Sequence, residues 1–479
     1  MSRLRLVAVL ALVVLSGCAL PGTAGQLDDD SELGHVETYA HDDVFAFDGS
    51  DTLTEEELEA VKYRSMARVE LIRGEKFERD VEIDVVSREA FRDQRGDRPD
   101  ASAFENERWR GAFLVDGETD ANEAIEEIYA ESVAGYYASD RVVIVVDDAD
   151  EIRVDRQVLV HELTHALQDQ RFGLEREGET LDARRAESGL LEGEANYVPY
   201  LYDQRCGEQW QCLLDDSPEP ATGDELADRP FESGLFLSIF APYAEGTSFV
   251  AHLHETGGWD AVDRAHDERP TSTAQLIHPE RYPDHRPVDL EVTDRSSDDW
   301  EPITDAEGDL RTDTVGEATL FAMLWENGAV DRPLTAGGTE LSPYNYSYPA
   351  TAGWDGDAFV AYRDVDDENR TGHVWELAWE RESDADAFAE AYRTLLENRG
   401  GEPIDAAGER YVISDAEAFA GAYRVDVSGE TVEIVGAPSV EELEAIRAEE
   451  PPAVASPAIT SPAVASPAIT LPAAKAAYG

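Results

Sequence analysis

Residues 161–170 read HELTHALQDQ, and the flanking residues predict that this stretch lies within one amphipathic helix. Asp155 is a residue type that caps a helix N-terminus and Gly173 one that ends a helix, so the helix is expected to end near Phe172. A β-branched run at 142–146 predicts a buried strand just before it. The helix also has a predicted buried face, formed by Val158, Leu159, Val160, Leu163, Ala166 and Leu167.

The two histidines of this stretch predict a metal site. Residues four apart lie on the same face of a helix, so His161 and His165 can direct both imidazoles at one ion. Imidazole nitrogen suits Zn²⁺, with bonds of about 2.0–2.1 Å. Glu162 is placed to act as the general base, which deprotonates a zinc-activated water and then passes the proton to a leaving amine. Asp169 can either support an imidazole or face solvent.

A catalytic zinc site needs a third protein ligand and one open position for water. The stretch Leu190–Ala195, LLEGEA, offers Glu192, which is separated from His165 by 26 residues. Glu194 and, more weakly, Glu187 are alternatives. Positions 192 and 194 face different directions on a helix, so only one of them can serve as the ligand.

HELTHALQDQ followed by LEGEA resembles the gluzincin metallopeptidases. In their aminopeptidase branch, the glutamate ligand lies in a similar acid-Gly-x-Ala sequence on the following helix. The resemblance implies that Glu192 is the ligand, that the activity is hydrolysis of peptide bonds, and that the substrate is a peptide or protein. It also implies an α+β, zincin-like fold with a mixed sheet and active-site helices. The likeness is close over residues 140–200 and thinner to about 285.

The segment Pro242–Gly246, PYAEG, resembles the Tyr-x-x-Gly segment of gluzincin aminopeptidases. There the tyrosine hydroxyl donates to the oxyanion, which implies that role for Tyr243, the alternative being a tyrosine that caps a core helix. His278 is a rival donor, because a histidine serves in the thermolysin-like branch. The chain lacks the Gly-x-Met-Glu-Asn stretch with which aminopeptidases hold a free amine, so the resemblance does not extend to exopeptidase activity.

The charge balance is extreme. The chain has 39 Lys+Arg against 104 Asp+Glu, a net charge of −65, yet 42% of its residues are hydrophobic. Abundant carboxylates, scarce lysine and an intact core are typical of a halophilic protein, because molar salt shortens the Debye length to about 3 Å. Such a surface repels phosphate, which excludes nucleic acid as a partner.

The N-terminus predicts export and lipid anchoring. Arg3 and Arg5 precede an apolar run at 6–15, and Leu15–Cys18, LSGC, resembles a lipoprotein cleavage box. Cys18 is then the lipidated residue that holds the protein on the outer face of the membrane; an ordinary membrane anchor is the alternative. Haloarchaeal surface proteins have a similar combination of this box with HELTHALQDQ, a GGW segment (residues 257–259 here) and an HP segment (residues 278–279 here).

An oxidising exterior allows a disulfide between Cys206 and Cys212, while two reduced core thiols are the alternative. Helices are also expected at 123–137, 230–240 and 245–256. The predicted organisation is a signal peptide (1–18), an acidic tether (19–52), a zincin-like domain (53–286), an α+β C-terminal region (287–449) and a Pro/Ala/Ser tail (450–479) that contains a repeat.

The predicted function is therefore that of an extracellular zinc peptidase. One alternative is a non-catalytic surface lipoprotein whose zinc site is structural or vestigial, although such a site needs no general base like Glu162. Another is a solute-binding lipoprotein, which would bind no metal.

Overall fold

The computed structural model describes residues 25–28, 31–47, 52–95, 98–146, 152–213 and 232–448. The predicted signal peptide, the lipidation site Cys18 and the repeat tail lie outside the described residues. Helices and strands are both present in several layers, which confirms the α+β expectation. No helix in the described ranges combines the length and the apolar character needed to cross a membrane.

Twelve α-helices are present in the described residues. They are α1 (Glu55–Arg73), α2 (Arg88–Arg95), α3 (Ala103–Gly111), α4 (Ala121–Ser132), α5 (Arg156–Arg171), α6 (Leu181–Asp203), α7 (Ser233–Gly257), α8 (Trp259–Asp267), α9 (Thr273–Ile277), α10 (Glu317–Glu326), α11 (Glu382–Asn398) and α12 (Val440–Ile446). The strands are β1 (His35–Val36), β2 (Tyr39–Ala40), β3 (Glu82–Ser87), β4 (Gly135–Ala138), β5 (Arg141–Val146), β6 (Trp300–Pro302), β7 (Trp354–Asp364), β8 (Thr371–Trp379), β9 (Glu402–Pro403), β10 (Arg410–Ile413), β11 (Gly421–Ser428) and β12 (Thr431–Ala437).

A small mixed sheet supports the helix that carries HELTHALQDQ. Its strand order is β3-β5-β4, with β3 parallel and β4 antiparallel to the central strand β5. Strand β5 is the predicted β-branched run, and its buried side chains pack with those of α5 in one core. The edge strand β4 lies against α5, because a Cβ on Gly135 would be 2.8 Å from Val158.

Helices α6 and α7 pack in parallel with their backbones in contact. Arg185 bonds to Ser238 near the start of both helices, and Tyr197 bonds to His254 further along both. A Cβ added to Gly193 would be 2.2 Å from the carbonyl oxygen of Gly246, which no larger residue allows. The glycines in LEGEA and PYAEG therefore have a packing role.

The C-terminal region forms an antiparallel sheet of seven strands in the order β6-β7-β8-β12-β11-β10-β9. Helix α11 covers one face, and its buried residues join a core with those of β7 and β8. Phe104 and Phe113 belong to the same core, although they lie far before residue 287 in the sequence. Helix α10 packs on α7 in turn. The cores therefore extend across the expected boundary between residues 286 and 287.

The bounds expected for three helices were wrong. The helix expected at 123–137 ends at Ser132, and Gly135–Ala138 form the edge strand β4 instead, paired with β5. The helices expected at 230–240 and 245–256 are one continuous helix, which passes through Pro242. In both places tertiary contacts outweigh the local sequence signal.

Candidate metal centre

Helix α5 begins where the sequence predicts, because the Asp155 carboxylate accepts from the backbone N–H groups of Gln157 and Val158. After α5 ends, the chain returns as α6, whose cap is Thr180. Helix α6 packs on both α5 and α7. Residues of the three helices thus meet in the interior of the N-terminal region, where His161, His165 and Glu192 are all buried.

Three potential ligand atoms converge at this point. The Nε2 atoms of His161 and His165 are 3.1 Å apart, and Glu192 Oε2 lies 3.4 Å from the first and 3.1 Å from the second. Tetrahedral zinc with bonds of about 2.0–2.1 Å places its ligand atoms about 3.3 Å from each other. The donor set and its spacing therefore fit one zinc ion. Among the described residues this is the single group of three or more metal-ligating side chains brought this close.

The charges within this group are coupled. Burial favours the neutral imidazole of His165, but the nearby carboxylate of Glu192 outweighs it and raises the pKa of His165. Burial also disfavours the Glu192 carboxylate, and the two histidines outweigh that effect and lower its pKa. A carboxylate and two imidazoles thus lie together in a buried site, and a bound cation would take the place of the proton that the carboxylate stabilises on His165.

Glu162 lies beside the group without joining it. It is fully buried, and neither carboxylate oxygen has a hydrogen-bond partner. Burial raises its pKa to about 8. A Cβ on Gly135 would lie 3.2 Å from Glu162 Oε1, so the carboxylate faces the edge strand. Leaving a buried carboxylate unpaired is costly, which makes this arrangement typical of a functional group rather than a packing residue.

The other ring nitrogen of each histidine has an amide partner. His165 Nδ1 is 2.8 Å from Gln168 Oε1, and His161 Nδ1 is 3.0 Å from Asn196 Oδ1. Asp169 serves neither ring, since Tyr137 donates to it at 2.7 Å. Sequence reasoning missed both amides, although each lies about one helical turn from a proposed ligand, which is the signal that identifies them.

The alternative third ligands have other partners. Glu194 accepts hydrogen bonds from Arg73 Nε, from Gln168 Nε2 at 3.0 Å and from His266 Nε2 at 2.7 Å. Glu187 accepts from the backbone N–H of Glu177 at 2.8 Å. The geometry therefore brings Glu192 alone of the three glutamates to His161 and His165.

The two candidate oxyanion donors lie in different places. Tyr243 is buried in α7, and its hydroxyl forms a hydrogen bond with Glu192; burial and this carboxylate raise its pKa well above the usual value. It therefore belongs to the metal centre. His278 bonds to Glu317 at 2.9 Å, and no hydrogen bond joins it to the three proposed ligands. Cys206 and Cys212 form a disulfide bond after the end of α6.

The match found in comparisons with known proteins lies in the C-terminal region. Residues 301–447 match the sequence model of a domain of unknown function, DUF8575. The match begins in β6 and ends just after α12, so it contains none of the residues of the metal centre. No curated protein and no solved structure matches the chain.

Proposed function

We propose that this protein is a zinc-dependent peptidase with a zincin-like catalytic region. The observation that carries the proposal is the convergence of His161, His165 and Glu192, with the unpaired carboxylate of Glu162 beside them. Three protein ligands leave one position for water, which is the pattern of catalytic rather than structural zinc. A structural site has no use for a buried, unpaired glutamate.

Each residue of the proposed site has a separate role in hydrolysis. When bound, zinc supplies a Lewis acid that polarises the scissile carbonyl and makes water more acidic. Glu162 takes the proton of the attacking water and donates it to the leaving amine, a role that suits a buried carboxyl group with no hydrogen-bond partner on either oxygen. The hydroxyl of Tyr243 donates to the oxyanion of the tetrahedral intermediate.

The strand next to Glu162 supports a peptide as the substrate. Strand β4 is one of the two edge strands of the three-stranded sheet in the described residues, and its first residue, Gly135, lies against Glu162. An edge strand offers backbone donors and acceptors with which an extended peptide can pair. A peptide paired with β4 would lie beside the residue that contacts Glu162.

The proposed location is the outer face of the cell membrane, with a lipid on Cys18 as the anchor. The Cys206–Cys212 disulfide agrees with an oxidising exterior. The net charge of −65 agrees with a halophilic, haloarchaeal setting of molar salt.

The test is the variant Glu162→Gln, studied in molar salt with casein and a peptide library as substrates. We expect it to bind one zinc per chain and to lose about 1000-fold in kcat, since general-base catalysis contributes up to about 10⁴-fold. Glu70→Gln, which alters an equally buried glutamate on α1, is the control and retains activity. Zinc binding without chelator-sensitive cleavage by the unaltered protein would contradict the proposal and leave a structural zinc site.

A further inference from the structure

A fully buried glutamine connects a proposed zinc ligand to a second network. Gln168 Oε1 is 2.8 Å from His165 Nδ1. The other end of the same amide, Nε2, donates to the backbone oxygen of Leu191 and to Glu194 Oε2, both at 3.0 Å. All three side chains of this relay, His165, Gln168 and Glu194, are at most 1% exposed. Water therefore does not compete for these bonds.

The chemistry of its partners fixes which way the Gln168 amide faces. A backbone carbonyl and a carboxylate only accept hydrogen bonds, so the NH₂ group of Gln168 must face Leu191 and Glu194. Its oxygen must then face His165, where it can only accept. His165 Nδ1 is therefore the protonated nitrogen, and Nε2 presents its lone pair to the metal.

Glu194 is itself held by residues outside the metal-binding helices. Arg73 of α1 donates from Nε to one oxygen, and His266 of α8 lies 2.7 Å from the other. Arg73 also donates to Asp263 at 2.7 Å. These contacts from α1 and α8 hold the carboxylate through groups that are not among the proposed metal ligands.

We propose that Glu194 and Gln168 form a positioning relay that fixes the tautomer and the ring orientation of His165 for metal binding. The inference rests on the proposed zinc site but does not depend on catalysis. It gives a role to the second glutamate of LEGEA, which binds no metal itself. Partners of this kind typically contribute 10–100-fold to metal affinity.

The experiment measures zinc affinity by chelator competition and the ring N–H protons of the zinc-loaded, ¹⁵N-histidine-labelled protein. Gln168→Leu removes both ends of the amide and is expected to raise the zinc Kd by about 10–100-fold. It should also shift the His165 Nδ1–H resonance, which reports the hydrogen bond. Glu194→Gln can present either its amide oxygen or its NH₂ group to Gln168. It should shift the same resonance and raise the zinc Kd less than Gln168→Leu does.

Two controls separate positioning from general destabilisation. Gln170→Leu removes a buried glutamine of the same helix that bonds to Glu78 and Arg79, and it should leave zinc affinity and both ring resonances unchanged. His161, which pairs with Asn196, provides an internal reference that should not move in Gln168→Leu. Circular dichroism must first show that Gln168→Leu and Glu194→Gln are folded. The relay is refuted if either variant then has the same zinc Kd and the same His165 resonance as the control Gln170→Leu. Failure of the unaltered protein to bind zinc would instead refute the proposed function.

Discussion

Two glutamates that are two residues apart, Glu192 and Glu194, have opposite roles in this molecule. Glu192 lies with the two histidines, whereas Glu194 faces Arg73 and His266 on another side of α6. The spacing itself predicts this division, because residues i and i+2 on a helix do not share a face. The identity of their partners was not predictable, since Arg73 and His266 are distant in sequence and carry no motif.

Tyr243 allows a prediction about the oxyanion. Replacing Tyr243 by Phe removes the hydroxyl that bonds to Glu192, while the ring keeps its stacking on Phe240, 5.6 Å away. Loss of one oxyanion donor costs about 10²–10³-fold. We therefore expect kcat to fall at least about 100-fold with one zinc still bound, as measured by steady-state peptide cleavage and metal analysis.

The rival donor serves as the control. His278→Gln should keep kcat within about threefold, because that side chain bonds to Glu317 rather than to the metal centre. The opposite result, with an active Tyr243→Phe and an inactive His278→Gln, would move the donor role to His278.

At the scale of elements, helix α5 was the most predictable and α7 the least. The cap Asp155 and the terminating Gly173 both lie in local sequence, and the structure has the helix at 156–171. Two separate helices were expected at 230–240 and 245–256, yet α7 is continuous through Pro242 and packs along α6. The edge strand β4 depends in the same way on pairing with β5, which no local pattern specifies.

The contact between α6 and α7 predicts a large effect of one methyl group. A Cβ on Gly193 would lie 2.2 Å from a backbone oxygen of α7, so Gly193→Ala must force apart the helices that carry Glu192 and Tyr243. Overpacking of this kind costs about 1–3 kcal/mol, and a clash with backbone belongs at the upper end. Urea unfolding in molar salt should show a loss of about 3 kcal/mol and weaker zinc binding. Gly117→Ala, which meets only the side chain of Arg110, should change neither.

A buried aspartate at the start of α6 predicts that the stability of the protein depends on pH. Asp182 is buried and accepts hydrogen bonds from Thr273, and burial raises its pKa to about 8. An unfolded aspartate has a pKa of about 3.9, so the folded state holds this proton more tightly and the free energy of unfolding falls as pH rises from about 4 to about 8. Asp182→Asn should flatten this decrease between pH 6 and 8 in urea unfolding at constant molar salt. An unchanged slope, like that expected of the exposed Asp289→Asn, would contradict the assignment.

At the scale of the whole molecule, the sequence predicted the class of the fold but not how its parts are joined. Strand β5 lies where its β-branched run predicts a strand, since that signal is local. Phe104 and Phe113 pack in the core of the C-terminal sheet, which lies far from them in the sequence. No local sequence pattern predicts this contact. Arg108 forms a buried ion pair with Asp313 across the same junction.

This junction predicts that residues 19–286 do not form an independent domain. Ending the chain at residue 286 exposes Phe104 and Phe113, takes Asp313 away from Arg108, and removes α10 from α7. Exposing a buried phenylalanine costs about 1.5–3 kcal/mol, so the loss for the two together approaches the whole stability of some domains. We expect the shortened chain to lack a cooperative thermal transition and to bind zinc at least 100-fold more weakly than residues 19–449, both measured in molar salt. Tight zinc binding by the shortened chain would show instead that the metal centre folds without the C-terminal sheet.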